Sequence, residues 1–246
     1  MKRLENKVAI VTGGTSGIGA EVCRTFGANG AKVVVAGRNI ERGEKVVADI
    51  LAAGGEACFI QTDITKEADI TNLVEKAVEK YGKLDVMVNN AGITVPTPLV
   101  STSAETWDSI MDSNLKSVFL SIKYSAPYIE KTKGSIINVA SIAAIKGIAY
   151  QSAYSASKAG VTMLTKCAAL ELGPVGVRCN CVCPGVVETP IIEGTPQEVF
   201  DAVTAQIPLK RIGQTSDLAG IIVYLATDES IWTTGVVMPV DGGNTL

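Results

Sequence analysis

Short β-branched, apolar runs recur along this chain, and stretches of helical periodicity separate nearly every pair of them. Residues 7–12 (Lys-Val-Ala-Ile-Val-Thr) form the first run, followed by a glycine-rich turn and a helix-like stretch to about Asn29. Residues 32–36 repeat the strand pattern, and residues 40–53 carry helical periodicity that stops at Gly54-Gly55. Further strand-like runs occupy 57–61, 84–89, 135–139, 177–182 and 235–240. Strands that are apolar throughout, rather than alternating, have both faces covered, and their alternation with helices predicts a parallel sheet. No Pro/Gly/Ser-rich linker or internal repeat interrupts the series. The pattern therefore predicts one doubly wound α/β domain over residues 1–246, a seven-stranded parallel sheet flanked by helices.

Bulk properties narrow the function. Of 246 residues, 47% are hydrophobic and 19% charged, enough to bury a large core. A net charge of −3 gives no electrostatic reason to expect nucleic acid or an anionic membrane as partner. No apolar run approaches the roughly 20 residues of a membrane span. Residues 1–7 lead straight into a strand, so no secretory signal is expected and a cytoplasmic location is. Histidine is absent, which removes Ser-His-Asp and Cys-His catalysis and most zinc chemistry. Six cysteines include Cys179, Cys181 and Cys183, which alternate along one strand and so share a face. They read as small buried hydrophobes in a reducing compartment, with no metal site and no disulfide frame.

The turn Thr12-Gly13-Gly14-Thr15-Ser16-Gly17-Ile18-Gly19 joins the first strand to the first helix. Gly13, Gly17 and Gly19 allow a tight turn and a close backbone approach to a pyrophosphate at the positive end of that helix, with Thr15, Ser16 and Ile18 beside it. Within a strand–turn–helix unit, this marks a Rossmann-type dinucleotide site.

Residues 152–170 have helical composition, so Tyr154 and Lys158, four apart, project into one site. A tyrosine with pKa near 10 is a poor base at neutral pH, and a neighbouring ammonium favours its phenolate. Tyr154 would give a proton to a carbonyl oxygen on reduction and take a hydroxyl proton on oxidation. Ser141 follows the fifth strand, at the carboxyl edge where such sheets bind ligands, and would orient the substrate oxygen. Asn114, in a helix around 107–124, would hold a water linking Lys158 to solvent.

The Gly-x-x-x-Gly-x-Gly spacing, Asn89-Asn90-Ala91-Gly92, Asn114, Ser141, Tyr154-x-x-x-Lys158 and Pro184-Gly185-x-x-x-Thr189 resemble the short-chain dehydrogenase/reductase family, over nearly all of residues 5–243. The resemblance implies nicotinamide-dependent interconversion of a ketone and a secondary alcohol. It implies that Asp63, with Ile64 beside it, meets the adenine, and that Asn90, Ala91 and Gly92 line the adenosine and its ribose. Pro184, Gly185, the Val187 main chain and Thr189 would hold the nicotinamide, and Lys158 its ribose. It also implies a homotetramer built from helices around 107–131 and 152–172 and the C-terminal strand.

NAD enzymes often carry an acid at the end of the second strand to pair with the ribose 2′-hydroxyl. Here the segment reads Val35-Ala36-Gly37-Arg38-Asn39, and Arg38 can meet a 2′-phosphate instead. The expected cofactor is NADP, with NAD second. After Thr189 comes a short substrate loop, about 189–207. Ile191 and Ile192, with Ala143, Ile145 and Val95, suggest an apolar lid and wall, and Gln151 adds a polar group near Tyr154. A hydroxysteroid or cyclic ketone fits such a site. The loop and the C-terminal segment ending Asp241-Gly242-Gly243 also resemble 3-oxoacyl-carrier-protein reductases, but Lys131 and Lys133 make only a modest basic patch for an acidic carrier. A non-catalytic dinucleotide sensor is a third reading, and it would have no need of Tyr154, Lys158, Ser141 and Asn114 together.

Overall fold

In the computed structural model, residues 2–192, 194 and 196–246 are described, the side chain of Ile191 excepted. Seven strands form one parallel sheet in the order β3-β2-β1-β4-β5-β6-β7. They are β1 (Val8–Thr12), β2 (Lys32–Gly37), β3 (Glu56–Gln61), β4 (Val86–Asn89), β5 (Ser135–Val139), β6 (Arg178–Pro184) and β7 (Val237–Val240). The helices are α1 (Gly17–Ala28), α2 (Ile40–Ala52), α3 (Glu67–Tyr81), α4 (Ala104–Met111), α5 (Ser117–Thr132), α6 (Ser152–Leu172), α7 (Gln197–Gln206) and α8 (Thr215–Ala226).

Every residue of β1, β4, β5 and β6 is buried, as the unbroken apolar runs require. Alternate residues feed two cores. Ala9 and Val11 join Val22, Phe26 and Val46 with Leu218 and Ile222, under α1, α2 and α8. Val8 and Ile10 join Leu73, Val118, Ile129 and Val161 under α3, α5 and α6. Cys179, Cys181 and Cys183 all belong to this second face, as their spacing predicts. Cys58 is only half-buried, however, and Cys167 is exposed, so the reading of all six as core residues holds for four.

The chain reverses its winding direction between β1 and β4, and the loops leaving the carboxyl ends of these two strands diverge there. Such a switch point is where doubly wound sheets open a crevice. The one helix expected around 107–124 is divided. A π-helical turn, Asp112–Lys116, lies between α4 and α5 and leaves Ser113 and Asn114 both buried. Single wide turns of this kind gather at functional sites. Among the described residues no helix is long and apolar enough to cross a membrane.

Candidate active site

The crevice is a cleft of about 510 Å³ above the carboxyl ends of the central strands. One end is walled by the turn after β1. Gly13 and Gly17 both have left-handed backbones (φ 64° and 51°), which L side chains adopt at a cost. A Cβ on Gly13 would stand 2.9 Å from the Ala91 Cα, and one on Gly19 only 2.3 Å from the Gly13 carbonyl oxygen. Gly13 therefore lets the β4 loop approach, whereas Gly19 lies behind the turn and lets helix and loop close-pack. Ser16 is the N-cap of α1, yet its side chain caps nothing, and no acidic residue occupies the first helical turn. The first N–H groups of α1 thus carry their partial positive charge without a side-chain partner, a cradle that fits a pyrophosphate.

Thr12, the last residue of β1, ties this turn to β4. Its hydroxyl accepts from the backbone N–H of Asn90 at 3.1 Å and of Ala91 at 3.2 Å, and donates to the Val88 carbonyl at 3.3 Å. The Asn90 amide reaches back to the carbonyls of Thr12 (3.0 Å) and Gly13 (3.3 Å), so its side chain holds the loops together.

Gly13, Thr15, Ser16, Gly17 and Ile18 line the cleft, as do Arg38, Asp63, Ile64, Asn90, Ala91 and Gly92. Arg38 is exposed and makes no ion pair among the described residues. Asn39 is not in the cleft wall; its side chain caps α2 by accepting the Arg42 N–H at 2.8 Å. Asp63 accepts from the Thr65 hydroxyl at 2.8 Å and backbone N–H at 3.1 Å, and the hydroxyl bond in particular holds its carboxyl below the usual range.

At the other end, Ser141, Tyr154 and Lys158 converge on the same cavity with Pro184, Gly185, Val187 and Thr189. Ser141 has an extended backbone and accepts the Ala143 N–H at 3.1 Å, which leaves its own hydroxyl proton free to donate. Lys158 is 4% exposed, donates to the Val139 carbonyl at 2.9 Å, and has its ammonium 5.8 Å from the Tyr154 ring centroid. Burial pulls its pKa down to about 8, against weaker opposing effects from Cys181 and Cys183. Burial also pushes the Tyr154 phenol up, and the Ser141 hydroxyl beside it opposes that rise. The ammonium sits beside the ring, and burial of the phenol is the leading influence on its proton.

Asn114 lies behind the cleft wall, fully buried, with its amide bonded to protein. Its Oδ1 accepts the Ile93 N–H at 2.8 Å, while Nδ2 donates to the Ile93 carbonyl at 2.9 Å and the Ser157 hydroxyl at 3.2 Å. A Cβ on Gly92 would meet Asn114 Oδ1 at 3.1 Å and Lys158 Nζ at 3.4 Å, so the glycine makes room for both.

The substrate wall differs from the one expected. Ala143 is buried by the short 3-10 turn after Ser141, and Val95 and Ile145 face solvent. Gln151 and Ile192 do line the cleft; the side chain of Ile191 lies outside the described residues. The apolar surface is supplied instead by Ile93, Ile142 and Ile148, with Ser109 and Ser113 adding hydroxyls.

This combination of switch-point cleft, glycine cradle and a half-buried Tyr154 beside a buried Lys158 defines a class, and comparison with known proteins agrees. The family described as enoyl-(acyl carrier protein) reductase matches residues 13–245. The chain belongs to the short-chain dehydrogenase/reductases, oxidoreductases that act on CH–OH groups with an NAD(P) cofactor. It is 42% identical over 242 residues to the 2,5-dichloro-2,5-cyclohexadiene-1,4-diol dehydrogenase LinX of Sphingobium indicum, covering 98% of this chain and 97% of that one. It is 40% identical over 242 residues to the 3-oxoacyl-[acyl-carrier-protein] reductase FabG of Thermotoga maritima, covering 98% of each. The crystal structure of levodione reductase superposes with a TM-score of 0.96 at 30% identity, covering 99% of each chain.

Proposed function

We propose that this protein, acting as one domain over residues 1–246, interconverts a secondary alcohol and a ketone on a small cyclic skeleton, with NADP preferred over NAD. The convergence of Ser141, Tyr154 and Lys158 on the cavity that begins at the glycine turn carries the reading. In reduction, the Tyr154 hydroxyl gives its proton to the carbonyl oxygen while Ser141 donates a hydrogen bond to the same atom; in oxidation, Tyr154 takes the hydroxyl proton. The nicotinamide, when bound, supplies or accepts the hydride. Lys158 holds its ribose and offsets negative charge developing on the phenol oxygen. Asn114 keeps the Ile93 segment in register with α6 rather than serving only as a water holder. Asp63 and Ile64 face the adenine, Val187 and Thr189 the carboxamide, and Arg38 a 2′-phosphate.

A ring-sized substrate is supported by the Ile142, Ile148 and Ile192 surface and by the cyclohexadiene-diol that LinX is named for. Acyl-carrier reduction is the second reading, favoured by the likeness to FabG. Against it, Lys133 immediately precedes Gly134 and β5, and Arg178 opens β6, so these cations lie at the sheet edge opposite the cleft. Arg178 is moreover buried against the carbonyls of Leu225 and Thr227. A cytoplasmic homotetramer is also proposed, its interfaces drawing on the exposed Phe119, Met163, Leu170 and Trp232. The test is turnover of a panel of cyclic ketones and diols against an acetoacetyl thioester, with NADPH and NADH, repeated on Tyr154→Phe. The proposal expects the cyclic compounds to win and the variant to lose about a thousandfold in kcat while binding cofactor normally. Preference for the thioester, or an active variant, overturns it.

A further inference from the structure

The residues after β7 are fastened to the substrate end of the cleft from behind. A Cβ on Gly185, which lines the cavity, would stand 2.8 Å from the Asp241 Cα, so the chain passes directly against the cleft wall there. The Asp241 carboxylate accepts the Gly243 N–H at 2.9 Å and the Thr245 hydroxyl at 2.7 Å, which folds the C-terminal segment into a turn at this spot. From the turn it reaches two other segments. The Gly242 carbonyl accepts the Leu209 N–H at 3.2 Å, just beyond α7. Asn244 receives the Lys146 ammonium on its main-chain carbonyl, at 2.8 Å, and on its side-chain oxygen.

Lys146 belongs to the connection between Ser141 and α6. Its backbone N–H donates to the Ile142 carbonyl at 2.9 Å, so it closes the turn that carries Ile142 into the cavity. Ile148 and Gln151, further along, line the same cavity. The connection has few other fixings. Ile145, Gly147, Ala149 and Tyr150 are exposed, and Tyr150 has a left-handed backbone (φ 63°), a strained conformation for a bulky residue. The Tyr150 carbonyl accepts the Thr97 N–H at 2.8 Å, which ties down the far end. At the near end the tie is Lys146, whose long side chain gives up its freedom for two charge-assisted bonds to the neutral oxygens of Asn244.

We propose that Lys146 and Asn244 are positioning residues for the substrate wall. Through the turn that Lys146 closes on Ile142, the C-terminal segment holds Ile142 and Ile148 in place beside the substrate skeleton. Through Gly242 and Leu209 it joins that wall to the segment following α7. Neither residue touches the substrate or the cofactor. They govern how tightly the substrate is held, and the proton and hydride steps stay with Tyr154, Ser141 and the nicotinamide. The inference rests on the alcohol/ketone reading above.

The test measures reduction of cyclohexanone by the full chain with NADPH or NADH, in wild type, Lys146→Met, Lys146→Arg and Asn244→Ala. Expected for Lys146→Met is a cyclohexanone KM about tenfold higher, with kcat and the cofactor KM within about twofold of wild type. Asn244→Ala keeps the main-chain carbonyl and should raise the KM about threefold, while Lys146→Arg, which can donate to the same oxygens, should stay near wild type. An unchanged cyclohexanone KM in Lys146→Met, or a kcat or cofactor KM that moves as much, overturns the proposal. Hydrogen exchange gives a readout independent of turnover. Amides in residues 142–151 should exchange at least about tenfold faster in Lys146→Met, with the rest of the chain unchanged. Unchanged exchange there, or faster exchange throughout, rejects the positioning role. If wild type reduces no cyclic ketone, the alcohol/ketone reading fails, while exchange confined to residues 142–151 still upholds the tie between the C-terminal segment and this wall.

Discussion

Asn114 grips Ile93 by both halves of its peptide environment: Oδ1 accepts the Ile93 N–H at 2.8 Å, and Nδ2 donates to the Ile93 carbonyl at 2.9 Å. The second amide proton goes to Ser157 on α6. One side chain, placed by a π-helical turn, therefore fixes the loop after β4 against the helix bearing Tyr154 and Lys158. Asn114→Ala leaves buried backbone groups without partners and should lower unfolding free energy by about 2 kcal/mol, measured in urea. Asn114→Asp keeps the acceptor but loses both donors, and should recover little of the stability. A cost below about 0.5 kcal/mol for Asn114→Ala would mean the grip contributes nothing.

Lys158 gives a prediction of opposite sign. Its pKa is about 8 in the folded protein against an ordinary value of 10.5, because burial disfavours the ammonium. Between those values the unfolded chain binds the extra proton, so this group's contribution to stability rises with pH from about 8 to about 10.5. Below pH 8 the folded protein carries the full penalty, of order 3 kcal/mol by the size of the shift, less the bond to Val139. Lys158→Met should abolish turnover yet unfold at higher denaturant concentration than wild type at pH 7, with the gap closing toward pH 10. A variant less stable than wild type at pH 7 would show that the bond to Val139 outweighs the desolvation.

Motifs whose chemistry demands particular residues were legible in the sequence. A left-handed turn and a 2.3 Å backbone approach admit only glycine, so Gly13, Gly17 and Gly19 announce themselves. The four-residue spacing of Tyr154 and Lys158 on a helix fixes a shared face, and the cavity receives both. Less legible was anything decided by which buried surface borders the cleft. Periodicity reports burial for Ala143 and Ile142 alike, but only the 3-10 turn after Ser141 decides that Ile142 lines the cavity and Ala143 does not. Thr12 reads as a strand former by propensity, and its hydrogen bonds to the β4 loop depend on the β1–β4 pairing. Likewise the π turn at Asn114 has no periodicity of its own, being one extra residue inside an otherwise regular helical pattern.

The glycines of the turn should separate by what a methyl group meets. At Gly19 a Cβ would lie 2.3 Å from the Gly13 carbonyl oxygen and 2.5 Å from the Asn90 amide, neither free to move. At Gly17 the nearest atoms are the Thr189 side chain at 3.2 Å, though the left-handed backbone adds strain of about 1 kcal/mol. Gly19→Ala should therefore lower the melting temperature more than Gly17→Ala, which should instead mainly weaken cofactor binding. Calorimetry with cofactor titration distinguishes them, and equal melting temperatures would refute the packing argument.

Cofactor choice turns on Arg38. It lines the cleft just after β2, exposed, with no carboxylate bound to it among the described residues, and no acid stands at the end of that strand. A free guanidinium offers a 2′-phosphate two parallel charge-assisted bonds, whereas a 2′-hydroxyl gains little from it. Arg38→Asp replaces attraction with like-charge repulsion toward the phosphate and supplies an acceptor for the hydroxyl. The NADP-to-NAD ratio of kcat/KM should fall by about a hundredfold, corresponding to about 3 kcal/mol for one charge-assisted pair. Arg38→Ala should fall between, since it removes the pair without the repulsion. Unfolding stability should stay within about 0.5 kcal/mol of wild type, because an exposed, unpaired arginine does little for the fold. An unchanged ratio in Arg38→Asp would reject the preference for NADP.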